Sequence, residues 1–230
     1  MILTISLGLA GAWRTVETEH FRLHYPVEAT EWALEAASQL EPIRERVSQE
    51  VGTNFERVVD IVVQDPFTRA NGYAIPRARS PRMGIFASPP YADGILGHYR
   101  SWEEDLITHE DAHLVHLMIP SRNPAGRTLV QWALNSGPLA RKTPRWVAEG
   151  YATVVEGRLT GFGRPNSDGR ATVLRVMARS GAMPLYSQLD GSDRWMGGSF
   201  AYLVGSAFLE WLEVEYGEGK QRELLMAMSA

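Results

Sequence analysis

The sequence predicts an α+β fold, a small mixed N-terminal sheet followed by a mostly helical C-terminal part. Short runs of β-branched and alternating residues occupy the chain up to Ala87, whereas from Ser101 onward most segments have helical spacing with Gly or Pro at their ends. A chain of 230 residues, 44% hydrophobic and 22% charged, suits one large domain or two small ones with a substantial core. No repeat, low-complexity tract or linker divides residues 13–230, so they read as a single domain.

The opening residues 1–12 are apolar and end in Ala10-Gly11-Ala12, the small-residue pattern of a signal-peptide cleavage region, although a basic start is missing. The favoured reading is a truncated export signal, which places the protein in a periplasm or outside the cell; the alternative is a buried first strand and a cytoplasmic protein. The segment is too short to span a bilayer, which takes about 20 apolar residues.

Val16, Phe21, Leu23 and Tyr25 alternate with polar residues and predict one or two strands ending at Pro26. Residues 28–51 predict a helix stopped by Gly52, with Pro42 threatening a kink or break. Val58 to Val63 is a short β-branched strand. Residues 64–82 contain Pro66, Asn71-Gly72, Pro76 and Pro81 and read as a loop, whose Tyr73 and Arg77 are weak candidates for lining a cleft. Met83 to Ala87 reads as a further strand.

Ser101, three residues before Glu104, fits a capping box and opens a helix from Trp102 to Met118; Asp93 is the alternative start. Beyond it, helices are expected at 127–135, 146–156, 167–179, 198–216 and 220–228.

The Trp102–Met118 helix carries His109-Glu110-Asp111-Ala112-His113. Residues four apart on an α-helix differ by about 40° around the axis and about 6 Å along it, so both imidazoles can reach one metal ion. Glu110 flanks them, placed to take a proton from water. The helix is otherwise apolar, with Leu106, Ile107, Leu114, Val115 and Leu117, and a buried helix carries such polar residues only when they are satisfied. The bland alternative is a helix whose His and Glu pair with other polar groups. The absence of cysteine restricts any metal to His, Asp, Glu or water, and the net charge of −4 gives no basic footprint for nucleic acid.

For a third ligand, a His six residues after His113 would suit a metzincin, but Ile119 stands there. A carboxylate from a later helix is the remaining option. Glu149 and Glu156 compete for it on nearly the same helix face, and the Trp146-x-x-Glu149-Gly150 context favours Glu149, 36 residues after His113. His116 reads as a core histidine, and His20, His24 and His98 receive no role.

His109 to His113, followed by Pro144-x-Trp146-x-x-Glu149-Gly150-x-Ala152 and Glu156, resembles the gluzincins, in particular bacterial peptidase MA-like domains. Thr18-Glu19-His20-Phe21 and the segment Ser199 to Gly217 are similar to other parts of that family, so the resemblance runs over most of the chain. It implies a thermolysin-like zincin catalytic domain, a Zn²⁺ ion on His109, His113 and Glu149, Glu110 as general base and Tyr202 as a stabiliser of the tetrahedral intermediate. It also implies endopeptidase-like hydrolysis of a peptide or protein, with the Met83–Ala87 strand pairing with the substrate at a sheet edge. Thermolysin-like enzymes carry an Asp four residues after the ligand Glu to orient a His. Thr153 is here instead, which leaves that orienting partner unassigned. No Gly-x-Met-Glu-Asn element for a substrate amine is present, which demotes an aminopeptidase. The competing class is a catalytically silent binding module joined to a C-terminal partner such as a β-propeller, as similar domains often are; the chain would then be a fragment of a longer protein.

Overall fold

The computed structural model describes residues 4–7, 13–64, 70–91, 96–124, 127, 131–137, 139–189 and 199–229. Six strands form one mixed sheet: β1 (Thr4–Leu7), β2 (Trp13–Glu17), β3 (Phe21–Pro26), β4 (Val59–Gln64), β5 (Gly72–Ile75) and β6 (Arg82–Phe86), in the order β1-β2-β3-β4-β6-β5. Pairing is antiparallel from β1 to β3, parallel from β3 through β4 to β6, and antiparallel again between β6 and β5. Within the opening segment, residues 1–3 and 8–12 lie outside the described residues, and Thr4–Leu7 pairs with β2.

The alternation in sequence has its physical counterpart in the sheet. Phe21, Leu23 and Tyr25 of β3 and Val59, Ile61 and Val63 of β4 are buried, while Arg22, His24 and Asp60 point to the opposite face. Leu23, Ile61 and Met83 stand in register across three strands, a continuous apolar row.

Helix α1 (Thr30–Val51) covers that row with Ala33, Ala36, Ala37, Leu40, Ile43, Val47 and Val51, spaced three and four apart. Pro42 does not break it. The residue is exposed, and the hydrogen bond it cannot donate would have gone to Ser38, also on the solvent side. Gly52, in a left-handed conformation, ends the helix where the sequence predicts.

Helix α2 (Trp102–Leu117) runs through the centre of the domain, with 14 of its residues buried, which explains why it is polar only where polarity is used. Ser101 caps it, its Oγ accepting from the Glu104 N–H, while the Glu104 carboxylate turns instead to Arg46. Trp102 fastens its start to β6 by donating its indole N–H to the Phe86 carbonyl at 2.9 Å.

Of the helix expected at 127–135, the described part is α3 (Gln131–Leu134), and Asp93 lies outside the described residues. There follow α4 (Arg145–Thr160), α5 (Asp168–Arg179), α6 (Tyr186–Leu189), α7 (Phe200–Tyr216) and α8 (Lys220–Met228), close to the predicted spans. α4 and α7 cross at backbone contact: a Cβ on Gly150 would lie 2.5 Å from the Gly205 carbonyl carbon, and one on Gly205 would meet the Trp146 carbonyl oxygen. That crossing sets Glu149 of α4 and Tyr202 of α7 over α2. Among the described residues no helix is long and apolar enough to cross a membrane.

The loop predicted at 64–82 contains a strand. Gly72–Ile75 forms β5, and it, not Met83–Ala87, is the edge of the sheet on this side; the predicted Met83–Ala87 strand, observed as β6, lies between β4 and β5. Asn71-Gly72 and Pro76 suggested a turn because they are poor strand formers, but at an edge only one side of the strand needs partners.

Candidate metal centre and cleft

The structure brings His109, His113 and Glu149 together, with one ligand atom from each lying within 4.8 Å of the others. The Glu149 carboxylate oxygen Oε2 is 3.0 Å from His113 Nε2 and 3.5 Å from His109 Nε2. Donors at about 2.0–2.1 Å from a tetrahedral zinc ion stand roughly 3.3 Å apart, so the set fits the ion in chemistry and in its two carboxylate–imidazole distances, while its full spread of 4.8 Å would have to close in around the ion. Burial alone would raise the Glu149 carboxyl, but the two imidazoles beside it hold it well below the usual carboxylate range.

Glu156, weighed in the sequence as a rival ligand, has a different position. His109 Nδ1 donates to its Oε2 at 2.9 Å, which turns Nε2 towards Glu149 and the metal position. The carboxylate beside His109 therefore comes seven residues after Glu149, on the same face of α4, and the position four residues after Glu149 is the buried Thr153. The i+7 spacing was visible in the sequence; the division of labour between the two carboxylates was not.

Arg164 was not anticipated from sequence. Gly161 and Gly163, at φ 72° and 77°, reverse the chain after α4 in a conformation that L side chains rarely adopt. Arg164 is thereby returned to Glu156, donating from its backbone N–H to Oε1 at 3.0 Å and from its guanidinium to Oε2 at 2.7 Å. Burial favours protonating Glu156, but Arg164 and then His109 override it and bring its carboxyl down to about 2. Burial and Arg164 both press His109 towards its neutral form, yet hydrogen bonds to Glu149 and Glu156 outweigh them and raise it to about 9. A divalent ion must displace that proton.

Replacing Glu156 by Gln removes the charge that balances Arg164 and weakens the acceptor for His109. Zinc affinity is expected to fall roughly 10–100-fold, with the fold retained, in a competition titration against a chelating dye. An unchanged affinity would mean that Glu156 only anchors Arg164.

Glu110 is 5% exposed and lies under β5. A Cβ on Gly72 would stand 2.7 Å from Leu106 Cδ1 and 2.9 Å from Glu110 Oε1, so a larger residue there would push these two side chains aside. Burial raises the Glu110 carboxyl above its ordinary range. Tyr202 lies beside His109, ring centroids 5.9 Å apart, with the Arg164 guanidinium 4.4 Å over its own ring. Burial first, and then Glu149, push its hydroxyl up to about 12, so it is a hydrogen-bond donor at neutral pH.

These groups share a cleft of about 260 Å³, walled on one side by Asn71, Gly72, Tyr73 and Ala74 and on the other by α2. Tyr73 therefore lines it, as the sequence suggested weakly. The Phe86 N–H donates to the Asn71 carbonyl at 3.0 Å. By the alternation of an antiparallel ladder, Tyr73 then pairs with β6, while the N–H and C=O groups of Gly72 and Ala74 face away from it, on the side where β5 pairs with no further strand among the described residues. His116 lies outside the centre: its Nδ1 donates to the Ala112 carbonyl, and burial lowers its pKa to about 3, keeping it neutral as a core histidine.

No protein-family model matches the chain, and no curated protein does. Among solved structures it is similar to an M1 zinc metallopeptidase from Deinococcus radiodurans, with 18% identity and a TM-score of 0.47. A mutant of that enzyme bound to a Tyr-Ser-Ala substrate gives 17% and 0.47, and a two-domain M1 zinc metallopeptidase mutant bound to L-arginine gives 17% and 0.46. Each comparison covers 99% of this chain and 44% of the other, so the chain spans less than half the length of these enzymes.

Proposed function

We propose that this chain is a zinc-dependent peptidase domain of the gluzincin type, thermolysin-like in its helix pair, which hydrolyses internal bonds of extended peptides. The observation that carries the reading is the convergence of His109, His113 and Glu149 beside a buried Glu110, in a cleft with a free strand edge.

His109, His113 and Glu149 would hold zinc, which would supply Lewis acidity and lower the pKa of water. The chain's own groups do the rest. Gly72 and Ala74 pair their free main-chain groups with an extended peptide, which favours peptides over small esters and lays the scissile bond across α2. Glu110 takes the proton of the attacking water and passes it to the leaving amine. The Tyr202 hydroxyl donates to the oxygen on which negative charge develops. Glu156 turns His109 Nε2 towards the metal position, and Arg164 holds Glu156 ionised.

Protein loaded with zinc is expected to bind one equivalent and to cleave an unfolded protein substrate. Dialysis against a strong chelator abolishes both, and added zinc restores both. Zinc binding without cleavage of any substrate would favour the silent binding module over the peptidase, and failure to bind zinc would overturn the site itself.

A further inference from the structure

One buried acid in the cleft has no part in this chemistry. Asp105 lies one turn before His109 on α2, lines the cleft and is 7% exposed. Its Oδ1 has no hydrogen-bond partner, a costly state for a buried carboxylate oxygen. The Thr160 hydroxyl reaches the Asp105 carboxyl, and Arg164 and His109 lie near enough to favour its ionised form, but Oδ1 itself gains no partner and each of these donors also serves another group. Arg164 gives its backbone N–H and its guanidinium to Glu156, and the Thr160 hydroxyl donates to the Glu156 carbonyl at 2.8 Å.

Beside Asp105 the cleft is lined by Trp102 and Leu106, while Arg164, Glu156 and His109 are the charged groups that act on it. Trp102 spends its indole N–H on β6, so a ring face without hydrogen-bonding capacity is left for the cleft. An acidic end behind an aromatic and aliphatic wall matches a long side chain with a methylene stem and a cationic head.

We propose that Asp105 is the specificity determinant of this cleft and receives the ammonium or guanidinium group of a substrate lysine or arginine side chain close to the scissile bond. The assignment rests on the peptidase reading. One helical turn, about 6 Å, separates Asp105 from His109, which places the cation within a side chain's length of the metal ligands. Trp102 and Leu106 beside it suit the methylene stem of a lysine or arginine side chain, which a peptide N-terminus lacks. Burial, reinforced by the Glu156 carboxylate, pushes the Asp105 carboxyl up to about 8, and a cation bound there would stabilise its ionised form.

The test uses zinc-loaded wild type and Asp105→Asn with N-acetylated and free peptides that carry Lys, Arg, norleucine or Gln at one position beside the cleaved bond. Wild type is expected to prefer Lys and Arg over norleucine roughly tenfold or more in kcat/KM, whether or not the N-terminus is acetylated. Asp105→Asn brings that ratio close to one, while its melting curve shows it folded. Calorimetric binding of the same peptides to the Glu110→Gln variant is expected to show the same preference without turnover. Cleavage with no basic preference, or with one that Asp105→Asn leaves intact, overturns the inference and spares the peptidase reading. A preference that disappears on acetylation also overturns it, since the ligand is then the α-ammonium group. Preferential binding without cleavage by wild type sustains the role of Asp105 and overturns the peptidase reading. Neither binding nor cleavage overturns both.

Discussion

Substituting Glu110 by Gln is expected to lower peptide hydrolysis roughly 10²–10⁴-fold while leaving one zinc equivalent bound. Gln has nearly the same shape, so it keeps the packing against Gly72 and Leu106 that fixes β5 over α2. It cannot take a proton from water. The proposed metal ligands His109, His113 and Glu149 are untouched, which separates loss of the base from loss of the ion. The pH profile gives a second readout. Burial raises the folded-state pKa of Glu110, and the base acts only when ionised. Activity in wild type therefore declines as pH falls through a value above the ordinary Glu pKa of about 4.3, and that limb should vanish from any residual activity of the variant. A variant as active as wild type, with zinc in place, would remove Glu110 from the mechanism.

The sequence was most informative where one element carries its own period. His109, Glu110 and His113 follow from helical geometry alone, and Glu149 from the context of Trp146 and Gly150. Both alternating strands before Pro26 and most helices after Ser101 appear close to their predicted ends, because burial on one face imposes a period that can be counted. What stayed hidden depends on residues distant in sequence. β5 is a strand because β6 offers it a ladder, and its Asn, Gly and Pro argued locally for a turn. Glu156 became an orienting group only when Arg164 returned to it through two left-handed glycines, a reversal with no periodic signature. Asp105 sits on the same helix face as His109, yet its unpartnered oxygen is a property of what surrounds it. Arg44 is the intermediate case: it interrupts the apolar stripe of α1 between Leu40 and Val47, a visible anomaly whose partner could not be read from the stripe.

That partner is Asp111, between His109 and His113, and replacing Arg44 by Met is expected to destabilise the domain by about 3–5 kcal/mol near neutral pH. Arg44 is 2% exposed and Asp111 is fully buried. The guanidinium holds the carboxylate through Nε at 3.1 and 3.0 Å and Nη2 at 2.6 Å, with the Phe21 and Phe55 rings at 4.8 and 4.3 Å from its centre. Met fills much of the volume but leaves Asp111 ionised in an apolar interior. The folded pKa of Asp111 then lies further above its unfolded value of about 3.9. The penalty is therefore nearly absent below that value, where the group is protonated in both states, and grows as pH rises towards the folded pKa. Denaturant titrations at pH 4 and pH 7 should show a small and a large loss respectively. Removing both charges, as in Arg44→Met with Asp111→Leu, should recover much of the stability, because the isolated buried charge is the source of the cost. Asp111 lies between Glu110 and Ala112, so the pair also fixes the rotation of α2 about its own axis. If the double variant regains stability but binds zinc more weakly than wild type, the ion pair sets the aim of His109 and His113 as well as holding α1 to α2; full zinc affinity in that variant would confine it to stability.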